Sequence, residues 1–259
     1  MSEHLEHEYL EYKEAGRIWG TIDKGRIKKI KFPRTPKEVI DEFLKIEDPT
    51  STVSDILDSV GIRGAVAGTY LHPIIPGKTI VGNAVTIRNI YERQTPTKCQ
   101  ANGEMHKMSV RDIYYLGEPG DVYVMDFGGN LDVSNLGDQA CALAQSKGFA
   151  GCIVNGAVRD VAGIRRMGFP VWARGVTPIT GMFRLEGMEL NGPVTLHDIA
   201  VYPGDLIVAD DTGICAIPPD KIDYVLKEVK KIIAKESVVR QQVKEQKSID
   251  ELKKLNIRD

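Results

Sequence analysis

The sequence predicts an α/β domain. Strand-like and helix-like stretches alternate as β-α-β-α-β over residues 121–174, and short β segments with turns follow from Gly192 to Ile217. After Pro219, apolar residues at helical spacing add a long C-terminal helix. With 259 residues, 42% of them hydrophobic, the chain is long enough to bury one large core. Its organisation reads as an N-terminal extension (1–34), an α/β domain (35–218) and a C-terminal helix (219–259) packed on the domain or on a neighbouring subunit.

The elements follow in order. Residues 1–34 are polar, and their basic run GRIKKIKFPR (Arg26, Lys28, Lys29, Lys31, Arg34) reads as a solvated strand or tail more readily than as an RNA-binding arm. Thr35 as cap, Pro36 in the first turn and Glu38 completing a capping box predict a helix over about 36–46. A second helix is expected to start at Thr52 and stop at Gly61. TIVGNAVTIRNI is β-like, the stretch from Tyr91 to Asn102 is irregular, and a helix is expected over about 105–115. Val122 to Met125 form a buried strand that ends in the glycine turn at 128 and 129. Ala140, Leu143 and Ala144 then share a helix face, with Gly148 as the stop. AGCIVNG is a strand, VAGIRRMG a short helix and FPVWA another strand. The turns NGP, YPGD and DDTG punctuate an antiparallel region, and Ile222, Val225, Leu226, Val229, Ile232 and Ile233 mark the final helix, to about 247.

Composition excludes several function classes. A net charge of −2 argues against electrostatically driven nucleic-acid binding by the whole chain. No stretch approaches the ~20 apolar residues of a membrane helix, and the acidic start MSEHLEHEYLEYKEAG lacks the apolar core of a signal peptide. The four cysteines have no C-x-x-C spacing and read as reduced, packed thiols, so a cytoplasmic location is expected. Asp126-Phe127-Gly128 spells a kinase metal-binding tripeptide, but without its companion motifs it reads as a strand ending in a turn. A Walker loop, a G-x-G-x-x-G turn and a G-x-S-x-G elbow are all absent, and the five histidines are scattered.

What remains is a set of charged residues at strand-to-helix junctions. Asp138 precedes the helix QACALA, and Arg159-Asp160 precede VAGIRRM. In a parallel α/β sheet these junctions face one crevice, where ligands bind. The plainer reading is that both aspartates cap helices, at ~1 kcal/mol each. Glycines 128, 129, 137 and 156 suit close backbone approach to a ligand and equally suit ordinary turns.

GDVYVMDFGG, then LGD, then twenty residues, then the RD of VNGAVRD, then FPVWARGVTP and PGDLIVADDTG together resemble the RraA-like family. The resemblance spans roughly residues 50–236; residues 1–34, the chain end and the length of the 91–104 loop lie outside it. It implies a swivelling β/β/α-type sandwich and one of two functions. These are a class II pyruvate aldolase acting on 4-hydroxy-4-methyl-2-oxoglutarate or a related sugar acid, and a non-catalytic ribonuclease E regulator. It further implies a divalent cation, Mg2+ or Mn2+, held by Asp160, with Asp138 acting through a water and Glu236 of an adjacent subunit nearby. Arg159 and the backbone amides of Gln139 and Ala140, beside Gly137, would bind a small 2-oxo acid, with Arg174 and Thr177 near the pocket. A homotrimer or homohexamer and an accompanying oxaloacetate decarboxylase activity are implied as well.

Overall fold

The computed structural model describes residues 2–244. The chain runs α1 (Glu3–Glu14), α2 (Lys37–Leu44), α3 (Pro49–Ser59), β1 (Ala65–Ala67), β2 (His72–Pro73), β3 (Ile80–Tyr91), α4 (Pro96–Ala101), α5 (Val110–Leu116), β4 (Val122–Asp126) and β5 (Ser134–Leu136). It continues with α6 (Asp138–Ser146), β6 (Gly151–Val158), α7 (Val161–Met167), β7 (Val171–Val176), β8 (Leu185–Leu190), β9 (Val194–Leu196), β10 (Ile199–Val201), β11 (Leu206–Ala209), β12 (Gly213–Ile217) and α8 (Ile222–Lys244).

The main sheet has the order β1-β12-β11-β3-β4-β6-β7-β2. Its centre, β3-β4-β6-β7, is parallel, while β11, β12, β1, β2 and β8 add antiparallel pairs. Every residue of β4 and β6 is buried, as strands covered on both faces require. Side chains alternate between the two faces: Tyr123, Met125, Cys152 and Val154 meet α1, α5, α6 and α7, whereas Val122, Val124, Ile153 and Trp172 meet the β9–β10 hairpin. A third cluster joins α2, α3 and the first turns of α8 to β11 and β12 through Phe43, Leu57, Val208, Ile217 and Val225. The α/β class and the parallel core are therefore as expected.

Several local expectations are corrected. Helix α2 is not capped by Thr35, because that residue is engaged with β3: its amide donates to Asn83 Oδ1 at 2.8 Å and its hydroxyl accepts from Asn83 Nδ2 at 3.0 Å. Pro36 takes the cap position without a side-chain bond. Helix α3 begins at Pro49, three residues before Thr52, where Pro suits the first turn. The helix expected over about 105–115 starts later, as α5 (Val110–Leu116), and the stretch from Tyr91 to Asn102, expected to be irregular, contains α4, which Thr95 caps and Pro96 opens. Residues 1–34 are built onto the body: Tyr12, Ile22, Ile27 and Ile30 enter the core, and Arg26, Lys31 and Arg34 pair with Glu186, Glu11 and Asp121. Helix α8 is anchored on its own chain by Val225, Leu226 and Val229, and the part of the expected C-terminal helix beyond residue 244 lies outside the described residues.

Candidate active site

Two strand-to-helix junctions meet at the C-terminal end of the parallel sheet. Strand β5 leads through Gly137 into α6, and β6 leads through Arg159-Asp160 into α7; the backbones are joined by the Arg159 amide donating to the Leu136 carbonyl at 2.9 Å. Asp160 sits in the left-handed region, φ 57° and ψ 36°, which an aspartate tolerates better than most residues. Its Oδ2 lies 3.3 Å from Arg159 Nε, and the two side chains are 40% and 38% exposed. A Cβ at position 137 would stand 2.6 Å from that Oδ2, so any side chain there would displace the carboxylate from this position. Likewise a Cβ at Gly163, in the first turn of α7, would stand 2.5 Å from Asp138 Oδ2. Asp138 and Asp160 both act on the Cys141 thiol, which burial first and their charges second push up to about 12.

Neither aspartate caps its helix. The N-cap of α6 is Gly137, which places Asp138 one position inside the helix, and Asp160 occupies the N-cap of α7 but accepts no amide from it. An N-cap side chain reaches its amides from extended backbone. The left-handed backbone of Asp160 instead directs its carboxylate to Arg159 and Gly137.

A cavity of about 310 Å³ opens at this junction, within the size range of small-molecule sites. Gly137, Gln139, Ala140, Arg159 and Asp160 line it. Because the first intrahelical bond of α6 runs from the Cys141 amide to the Gly137 carbonyl, the amides of Gln139 and Ala140 are not taken up by the helix. Asp138 is not on the cavity wall; its carboxylate lies between α6 and α7 against Gly163. Arg174 packs on Gly129, and Thr177 borders a shallow recess shared with Arg159 and Asp160. Glu236 lines a different recess, with Lys45, Asp48 and Thr52, and is 3.8 Å from Arg240.

The wall also contains groups that sequence reasoning missed. Asn135 is fully buried; its Oδ1 accepts from Asn89 Nδ2 at 3.2 Å, and its Nδ2 has no partner among the described residues. His106 and Arg111 come from the 104–111 segment, and the His106 pKa is held down by burial and by the Arg111 charge. These are mostly donors, so the cavity is suited to an anionic ligand rich in acceptors.

No group of three or more His, Cys, Asp or Glu side chains able to hold a metal ion is present among the described residues. Asp160 meets only the Arg159 cation, and Asp138 has neither a hydrogen bond nor an ion pair there. One or two hard carboxylates of this kind fit a cation that keeps most of its waters, as Mg2+ does. Asp126, by contrast, is not available to a cation: its carboxylate accepts the Gly128 amide, Asn155 Nδ2 and the Thr195 amide.

Residues 50–216, which include both junctions, match the model of a family described as RraA-like, Aldolase/RraA. The chain belongs to the RraA-like family. It is 31% identical over 183 residues to a Halalkalibacterium halodurans protein named "Putative 4-hydroxy-4-methyl-2-oxoglutarate aldolase", covering 71% of this chain and 79% of that one. Among solved structures it is similar to Streptomyces coelicolor RraAS2, titled an unusual member of the RNase ES inhibitor RraA protein family. That match has a TM-score of 0.68 and 25% identity, and covers 81% of this chain and 99% of that one. An uncharacterized protein from Pseudomonas syringae pv. tomato shares the fold at a TM-score of 0.70 and 22% identity, covering 86% of this chain and 100% of that one. The RraA-like chain has no helix among its described residues long and apolar enough to cross a membrane.

Proposed function

We propose that this RraA-like chain is a divalent-metal-dependent aldolase that cleaves a 4-hydroxy-2-oxo acid to release pyruvate, and that the same site decarboxylates oxaloacetate. The observation that carries this reading is the meeting of Arg159-Asp160 with the free amides of α6 in one cavity. Asp160, with Asp138 acting through a water, would hold Mg2+ or Mn2+. When bound, that cation supplies Lewis-acid charge at the 2-oxo oxygen.

The remaining chemistry belongs to the chain. The amides of Gln139 and Ala140 bind the substrate carboxylate at the helix N-terminus. The 4-hydroxyl proton leaves through a water ordered by Asp138, the C3–C4 bond breaks, C4 becomes a carbonyl carbon, and the electron pair stays on the pyruvate half as an enolate. Arg159 donates to the enolate oxygen, where charge develops. Protonation at C3 gives pyruvate. Loss of CO2 from oxaloacetate produces the same enolate, which is why one site serves both reactions. In a homotrimer or homohexamer, Glu236 of an adjacent subunit would join Asp160 and Asp138 in holding the cation.

A coupled assay of pyruvate release with Mg2+ over a panel of 4-hydroxy-2-oxo acids and oxaloacetate tests the proposal. Turnover should stop with chelator and fall by about 10²–10³ in Arg159→Ala, the scale of losing one oxyanion donor. Metal-independent turnover, or full activity of that variant, would sink it. No turnover on any of these acids would favour a regulatory RraA-like oligomer.

A further inference from the structure

The segment between α1 and α2 grips α5 at both ends. Arg17 donates from Nε to the Tyr115 carbonyl at 3.0 Å and from Nη2 to the Gly117 carbonyl at 2.8 Å, where the helix ends. In the first turn, the buried Asp112 accepts the amides of Gly20 at 2.9 Å and Thr21 at 3.0 Å on a single oxygen. Between these anchors the Trp19 ring lies 5.5 Å from that of Tyr115, and the Arg111 guanidinium stands 5.1 Å over it. Residues 17–22 precede the matched span 50–216, so this part of the site comes from outside it.

Arg111 shares the cavity side of α5 with Val110 and Tyr114, consistent with the i, i+3 and i+4 spacing of one helix face. Among the described residues its guanidinium meets the Trp19 ring and lies near enough to His106 for its charge to lower that pKa, and no carboxylate pairs with it. A guanidinium stacked on an indole keeps its N–H edge free, and that planar fork matches a carboxylate. Two guanidiniums on separate elements, Arg159 after β6 and Arg111 on α5, thus line one cavity, and the buried Asn135 Nδ2 adds an unpartnered donor to the same wall.

Resting on the aldolase reading, we infer that Arg111, seated on Trp19, is a specificity residue for a second carboxylate, carried beyond C4 by the half of the substrate that leaves. Arg159 and the α6 amides take the pyruvate half; Arg111 takes the far end. Trp19 is a positioning residue, and the N-terminal segment thereby selects dicarboxylic over monocarboxylic substrates.

Calorimetric binding in Mg2+ of pyruvate, which has only the first anionic end, and of 2-oxoglutarate, which has both, tests this without turnover. The wild-type protein should bind 2-oxoglutarate about tenfold or more tightly than pyruvate, the scale of a charge-assisted pair. Arg111→Gln should erase that preference and leave pyruvate binding within about twofold. Trp19→Leu should lose part of it, and Arg111→Lys should recover part. Arg111 is exposed, so its replacement leaves the packed core intact, and circular dichroism of each variant checks the fold. Equal weakening of both ligands in Arg111→Gln, an unchanged preference, or no preference in the wild-type protein would overturn the inference. The aldolase reading fails separately, if pyruvate binding is absent or survives Arg159→Ala unchanged.

Discussion

Gly137 and Asp160 are in contact across two junctions that are distant in sequence: any side chain at 137 would begin 2.6 Å from the Asp160 Oδ2 atom. The glycine is therefore what allows the N-terminus of α6 and the carboxylate after β6 to occupy one site. Gly137→Ala should push the carboxylate away from its present position while leaving the apolar core untouched. The expected result is a drop in kcat of about 10², the scale of a misplacement near 1 Å, with a thermal midpoint close to that of the wild-type protein. A variant with full activity would show that the Asp160 position is not critical.

The two aspartates should separate in metal binding. Asp160 borders the cavity, whereas Asp138 stands behind it against Gly163. Asp160→Asn should abolish measurable Mn2+ binding by electron paramagnetic resonance titration. Asp138→Asn should weaken it by about 10–100-fold, as expected of a group acting through a water. Equal loss in both variants would mean that Asp138 ligates the ion directly, and no loss in either would place the metal elsewhere.

How far the sequence foretells this site depends on the range of the interactions involved. Strands β4 and β6 were legible because both faces are covered and their apolar runs are continuous, and the junction residues 138, 159 and 160 followed from chain order alone. The short strands β1, β2, β5 and β8 were not, since they exist through pairing with the central strands rather than through a pattern of their own. Asp138 was placed before its helix and is its first residue; one position is about 100° of helix rotation, enough to turn its carboxylate off the cavity wall. Asn135 and Arg111 left no local signal, because one is fixed by Asn89 and the other by Trp19, far away along the chain. Thr35 illustrates the same competition: a satisfactory local capping box lost to a tertiary partner, Asn83.

Asp205 gives a stability prediction with a definite sign. It is buried in the turn before β11, where its carboxylate accepts the Tyr202 amide at 2.8 Å, and burial pushes its pKa up to about 6. An unfolded aspartate titrates near 3.9. The folded state therefore holds this proton longer, and the stabilisation present below about pH 4 is lost as pH rises through about 6. The loss is on the order of 3 kcal/mol by pH 7.5. Asp205→Asn keeps an oxygen for the Tyr202 amide and does not titrate. Urea unfolding should show the variant gaining on the wild-type protein by about 2–3 kcal/mol between pH 4 and pH 7.5. The buried Asp112 and Asp121, also shifted upward, are common to both proteins and cancel. A stability difference that does not vary with pH would refute the assignment.

Glu236 tests the subunit arrangement. Within one chain it lines a recess between α3 and α8, beside Arg240, and is not among the residues of the Arg159 cavity. If it serves the metal, it serves that of a neighbouring copy. Glu236→Gln and Arg159→Ala should then each be nearly inactive alone, by about 10²-fold or more. Co-refolded mixtures of the two should regain activity, because some boundaries then combine an intact Glu236 from one subunit with an intact Arg159 from the next. The gain should follow the fraction of mixed oligomers seen by native mass spectrometry. Mixed oligomers that form without regaining activity would confine the site to one chain and return Glu236 to a surface pair with Arg240.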